Sequence, residues 1–248
     1  MGYVFLCFAA MLAGIVQAVT GFGAAAMMLA VLAFSFDMQQ APAITQLVCT
    51  ALSAMMLIRY RKHLDVKQVL LPTVIYSVVS IVCVLIAKGA NLTGLTIAFG
   101  AFLVVLAVFF LFFNRRIKIR ESLGMNITVS TLSGALSGLF GCGGPTMALY
   151  LVSVTEDTMV YLANMQFLFT VTNVVATVTR AVEGFFSLAI IPACLAGMVA
   201  VIGGELVGEQ ISKRIRASGS TRGTEITRII VYAFVGVSGL ITVLQKVL

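Results

Sequence analysis

Charge is the scarcest ingredient of this sequence: Asp, Glu, Lys and Arg make up 10% of 248 residues, apolar residues 60%, and mean hydropathy is +1.10. Soluble domains run nearer a quarter charged and half apolar, so water is excluded as this chain's solvent and a bilayer takes its place. Histidine occurs once, as His63 in the basic stretch Arg61-Lys62-His63, which reads as a solvated surface position. No histidine lies in an apolar run to serve a Ser or Cys as base, and neither HExxH nor a P-loop is present, so the chain is read as no enzyme. Five cysteines, Cys7, Cys49, Cys83, Cys142 and Cys194, lack CxxC spacing and suggest neither a disulfide framework nor a zinc site. No metal and no cofactor is expected. The nine carboxylates fall almost entirely at the ends of apolar blocks, which weakens any proton relay. No charged region precedes the first apolar run, so a cleaved signal peptide is not expected.

Apolar blocks cover residues 3–36, 41–58, 69–87, 92–113, 124–155, 159–179, 185–207 and 227–246. Six are close to the ~20 residues of a spanning helix. The blocks 3–36 and 124–155 are too long for one crossing, and each is interrupted by glycines near its middle: Gly14-x6-Gly21-Phe22-Gly23 in one, Gly134-x6-Gly141-Cys142-Gly143-Gly144-Pro145 in the other. The two motifs stand 120 residues apart. The same offset pairs Met27 with Met147, Ala43 with Ala163, Gln46 with Gln166, Thr50 with Thr170 and Pro72 with Pro192 without a gap. Two half-chains that each carry an interrupted apolar segment at a corresponding place are the sequence pointer to a secondary transporter's binding site. The competing reading is that the glycines only let helices pack closely.

The expected fold is an all-α polytopic membrane protein of two inverted repeats, each a glycine-broken block plus three transmembrane helices. Residues 1–113 form the first repeat, 114–123 a basic cytoplasmic connection, and 124–248 the second repeat. Charge supports the inversion. Cations cluster at Arg59, Arg61, Lys62 and Lys67, at Arg115, Arg116, Lys118 and Arg120, and at Lys213, Arg214, Arg216, Arg222 and Arg228. Inverted halves put these thirteen of sixteen on the cytoplasmic side, leaving Lys88, Arg180 and Lys246 outside. Parallel halves would misplace the third cluster. The limbs 4–19 and 24–36 would rise about 24 and 20 Å, short of the ~30 Å hydrocarbon core, so half-penetrating limbs meeting near the membrane centre are expected, with both termini outside. Loop location also accounts for the net charge of +7 without a nucleic-acid partner.

Exposed backbone is intolerable in lipid, so each break must be covered by protein or line a wet cavity. The limbs starting near Ala24 or Ala25 and at Pro145 present unpaired amides and the positive end of a helix dipole, which cradle an anion without any embedded Lys or Arg. The candidate substrate-binding set is Gly21, Phe22, Gly23, Ala24, Gln46, Gly141, Cys142, Gly143, Gly144, Thr146, Gln166 and Asn173, flanked by Thr45, Thr50, Asn164 and Thr170. Gln46 and Gln166 are either ligand groups or hydrogen-bonding glue between helices. Thr and Ser hydroxyls are readily satisfied by their own helix. Phe22 and Phe140 suit packing better than a ligand clamp. Glu205, the deepest acid, is either a coupling residue or a side chain snorkelling to the interface near Lys213.

The run Thr131 to Pro145 closely resembles the repeated glycine signature of the TauE/SafE family of membrane permeases, the sulfite exporter family, and Gly14 to Gly23 is a looser copy. Arg59 to Asp65 resembles the basic connection of that family's first half, and Gly203 to Ile211 the glycine-spaced helix end of its second. The resemblance spans nearly the whole chain. It implies a multi-pass cell-membrane carrier that exports a small anion, sulfite or an organosulfonate such as sulfoacetate, by alternating access, with protons as the candidate coupling ion. Ala24 and Ala25 stand where many members have further glycine and proline, so the first cradle is either tighter or less directly involved. An anion or solute channel and a non-transporting, partner-anchoring membrane protein are the alternatives. Substrate and bilayer are the expected partners, and homo-oligomerisation is left open.

Overall fold

The computed structural model describes residues 2–37, 39–112, 121–187 and 190–217. The last apolar block, most of the basic connection, and Arg222, Glu225, Arg228 and Lys246 lie outside them. The described residues form helices α1 (Gly2–Thr20), α2 (Ala24–Leu32), α3 (Gln40–Tyr60), α4 (Val66–Lys88), α5 (Leu92–Phe112), α6 (Leu123–Phe140), α7 (Gly144–Val154), α8 (Thr158–Val182) and α9 (Ile191–Ala217). Five of these, α3, α4, α6, α8 and α9, are long and apolar enough to cross a membrane. The exterior supports the same reading: Leu70, Leu71, Val74, Val78, Val82, Leu85 and Ile86 of α4 all face outward, an apolar surface that water would not tolerate and lipid does.

Helix starts are set by caps. Asp65 accepts from the amides of Lys67 and Gln68 at 3.1 and 3.3 Å, Asp157 from those of Met159 and Val160 at 2.6 and 3.2 Å, and Ser122 from that of Met125 at 3.2 Å. Asp37 does the same for Gln39 and Gln40. Three of the nine carboxylates are therefore occupied with unpaired helix amides. Pro72 and Pro192 occupy equivalent sequence positions but unlike ones in space, the first inside α4 and the second in the opening turn of α9, where no amide hydrogen is needed.

Packing exchanges partners between the halves. Helix α1 lies on α9, its counterpart α6 lies on α4, and α3 lies on α8. The first two contacts are close because glycine permits them. A Cβ on Gly14 would overlap the Val201 carbonyl and one on Gly204 the Met11 carbonyl, while one on Gly134 would stand 2.6 Å from the Tyr76 oxygen. Leu6 meets Gly197, Met11 meets Gly204 and Ile15 meets Gly208, so α1 and α9 run parallel. Gly134 meets Tyr76 and Gly138 meets Ser80, so α6 and α4 run parallel too. Helices α3 and α8 are antiparallel, with Gln46 against Arg180 at one end and the turn after α3 against the start of α8 at the other.

Both long blocks break at the expected glycines, but the limbs are unequal. Helix α1 has 19 residues and α6 has 18, about 28 and 27 Å of rise, whereas α2 has 9 and α7 has 11. The long limbs are near membrane length, and only the short ones are half-length. The cause is local: α2 ends at Leu32, where the amides of Ser35 and Phe36 fold back onto the Leu32 carbonyl.

Candidate functional site

Each break is built by a glycine in the left-handed region. Gly21 (φ 84) and Gly141 (φ 75) end α1 and α6, and their amides donate to Gln17 and Ser137 oxygens at the same 2.7 Å. Only glycine takes that conformation cheaply. Gly23 (φ 98) then opens α2, while Gly143 has an ordinary negative φ and is small for another reason: a Cβ there would overlap the Ser133 carbonyl and crowd the Tyr76 hydroxyl. Thr20 braces the first break by donating to the Val16 carbonyl. Thr146 braces the second, sharing a 2.7 Å hydrogen bond with Ser133 and donating to the Gly143 carbonyl at 2.9 Å.

Between the breaks lies a cavity of about 30 Å³. It admits a water or two at roughly 10–15 Å³ each. Its wall repeats at the 120-residue offset: Gly23 with Gly143, Ala25 with Pro145, and Cys49 with Phe169. Gln17, Ala26, Tyr76, Gly141, Gly144 and Asn173 complete it. No charged side chain is among them. The first turn of α2 adds amides, since Met27 is the first to close onto the Gly23 carbonyl and Ala24 to Ala26 precede it. Helix α7 begins at Gly144, one residue before the expected Pro145, and the proline fills the first turn.

Of the candidate set, Gly23, Gly141, Gly143, Gly144 and Asn173 line this cavity. Gly21, Phe22, Ala24 and Cys142 are buried at the breaks without lining it. Gln46 and Gln166 stand behind the breaks, each tying its helix to the broken helix of the other half. Gln166 donates to the Gly21 carbonyl at 3.1 Å and accepts from Gln17 at 3.0 Å; Gln46 donates to Ser137 oxygens at 3.2 Å. Since Gln17 and Ser137 are themselves 120 residues apart, the two contacts are counterparts. Thr50 and Thr170 donate to the carbonyls of Gln46 and Gln166, both at 2.7 Å. Asn164 is drawn away to Gln68 and the Asp65 amide, and Thr45 finds no partner among the described residues. Phe140 stacks with Phe102 at 5.6 Å, a packing role.

Glu205 is fully buried outside the cavity and ion-paired with Arg59, which also lies 3.7 Å from Glu209. Tyr60 and Lys213 join Glu209 there. At the opposite end Lys88 and Glu183 bridge α4 and α8 at 2.7 Å. Arg180 departs from expectation. Charge counting assigned it only a side of the membrane; its side chain is 1% exposed inside the helix bundle, so the expectation of no embedded cation is overturned. The counting missed it because a charge at a block end reads alike whether it turns to water or inward.

Sequence reasoning misses Gln17, Ala26, Cys49, Tyr76 and Phe169 as cavity wall, while it reads Ala25 and Pro145 only as the starts of the cradling limbs. Cys49 and Phe169 are counterparts at the repeat offset, so either would have pointed to the other, but Tyr76 has no such signal and arrives only through the packing of α4 on α6. A family model described as Sulfite exporter TauE/SafE matches residues 6–242. No curated protein and no solved structure matches.

Proposed function

The chain belongs to the TauE/SafE sulfite exporter family, a family of membrane transporters, and from that premise we propose that it exports a small anion, sulfite or an organosulfonate, by alternating access around the cavity between its two helix breaks. The observation that carries this reading is the wall of that cavity: helix-start amides, Tyr76, Gln17 and Asn173 offer donors, and no carboxylate opposes a negative guest.

The two halves, 1–113 and 124–248 joined by 114–123, are inverted repeats in this reading. Helices α1, α3 and α9 run one way through the bundle and α4, α6 and α8 the other, so each counterpart pair is opposed. Arg59, the turn Arg61–His63 and Lys213 gather at one end, which the positive-inside rule makes cytoplasmic, with Lys88 and Glu183 at the outer end. Glu205 is the coupling candidate: its protonation would release Arg59 and loosen α3 from α9 at the inner end. Substrate contacts fall to Gly23, Gly141, Gly143, Gly144 and Asn173, with Gly21, Phe22, Ala24, Cys142 and Thr146 shaping the breaks and Gln46 and Gln166 holding them.

Purified protein in liposomes tests the proposal. Sulfite or an organosulfonate should cross at a rate that saturates with concentration. Flux that rises linearly to high concentration would favour a channel, and no anion flux at all would overturn transport of this class.

A further inference from the structure

The two glycine-broken hairpins share a backbone plan and differ in what lines it. Buried along α1 stand Leu6, Ala10 and Ala13, and along α2 Ala26 and Ala30, every one apolar. At the 120-residue offset the same five positions carry a polar group: Asn126, Ser130 and Ser133 of α6, and Thr146 and Tyr150 of α7. The three on α6 recur at helical spacing on one face, and all three are buried. Ser130 donates to the Asn126 oxygen at 3.3 Å, and Ser133 shares its 2.7 Å bond with Thr146 across the hairpin. Burying polar groups is costly, so a polar seam in one hairpin where the other is dry needs a reason beyond packing.

Each end of the seam meets a cavity. At the inner end Asn126 and Tyr150 line a pocket of about 260 Å³ together with Lys67, Gln68, Glu121 and Ser122. At the other end the Ser133 carbonyl stands so close to Gly143 that a Cβ there would overlap it, and Gly143 belongs to the wall of the central cavity. From Asn126 to Ser133 is about 10 Å of helix rise. We infer that α6 and α7 form the cytoplasmic loading route of the anion: the inner pocket is its vestibule, Ser130 lies on the way, and the Ser133–Thr146 bond is the last closure before the central cavity. The inference rests on the transport reading above. Serine and threonine hydroxyls rotate, so each can turn its proton from a neighbour to a passing anion. Lys67 and Glu121 offset one another in the vestibule, which therefore admits an anion without trapping it. The counterpart path from the outer end, along α1 and α2, has no such lining and is dry.

The test transplants the dry hairpin onto the wet one. Asn126→Leu, Ser130→Ala and Ser133→Ala together give α6 the residues that α1 carries at the same places, and Thr146 keeps its bond to the Gly143 carbonyl, so the fold is retained. Maximal sulfite flux in liposomes should fall by about tenfold or more, because an anion leaving water then meets fewer donors on its way. Sulfite-dependent thermal stabilisation in detergent, which reports the central cavity, should keep its wild-type midpoint. Full flux in the triple variant would overturn the route. So would lost stabilisation, which would make these residues part of the binding site itself. Thiol labelling gives a second readout. Ser130→Cys should react with a sulfonate-bearing methanethiosulfonate in inside-out vesicles, above the background of the native cysteines, and not in right-side-out ones, while Ala10→Cys should react in neither. Labelling of Ser130→Cys from the outside, or from neither side, would overturn the route, and equal labelling of Ala10→Cys would overturn the contrast between the hairpins on which it rests. Labelling requires no sulfite transport: cytoplasmic labelling of Ser130→Cys in a chain that moves no sulfite would sink the export reading and leave the polar inner path standing.

Discussion

At the scale of single residues, the glycines of the two breaks divide into kinds that one motif conceals. Gly21, Gly23 and Gly141 are needed for their backbone angle, Gly143 for closeness to the Ser133 backbone, and Gly144 for room beside Phe169. Substitutions should separate them. Gly141→Ala forces a side chain into the left-handed region at about 1–2 kcal/mol and presses on Pro42, so thermal unfolding in detergent should shift down. Gly143→Ala should be more damaging, because backbone cannot move aside as a side chain can. Gly144→Ala meets only the tip of the Phe169 ring, 2.9 Å from the new carbon, which a small rotation relieves. That variant should melt like wild type and lose roughly tenfold in sulfite transport, equivalent to about 1.4 kcal/mol, because the displaced ring enters the cavity. Unchanged transport in it would remove the cavity from the pathway.

At the scale of helices, the halves hold each other rather than themselves. The α1 with α9 and α6 with α4 pairs depend on glycine, and α3 is fastened to α9 by an ion pair whose acid is fully buried. Removing one partner of such a pair strands a charge. Arg59→Gln should therefore destabilise by about 3 kcal/mol in denaturant or thermal unfolding, at the lower end for buried pairs because Arg59 itself is 29% exposed. Arg59→Gln combined with Glu205→Gln should recover most of the loss, since no ion then lacks its counterpart. A double variant as unstable as the single would mean that Glu205 is held by something other than charge.

At the scale of the whole molecule, the opposed running of counterpart helices predicts which ends meet which solution. A cysteine introduced at His63 in a cysteine-free background should be shielded from an impermeant thiol reagent in intact cells and react after lysis, whereas one at Asn91 should react in both. The reverse pattern would turn the molecule over. That the chain is helical and membrane-bound, that its glycine motifs recur at a 120-residue offset, and where both long blocks break were legible in the sequence, because hydropathy, glycine spacing and the left-handed preference of Gly21 and Gly141 are local properties. Only the tertiary structure decided that Tyr76 joins the cavity wall, that Gln46 and Gln166 brace the opposite half, that Glu205 is matched by Arg59, and that Arg180 turns inward. Those outcomes depend on which helix faces which, and a residue's partner across a bundle is set by the packing of elements far apart in the chain.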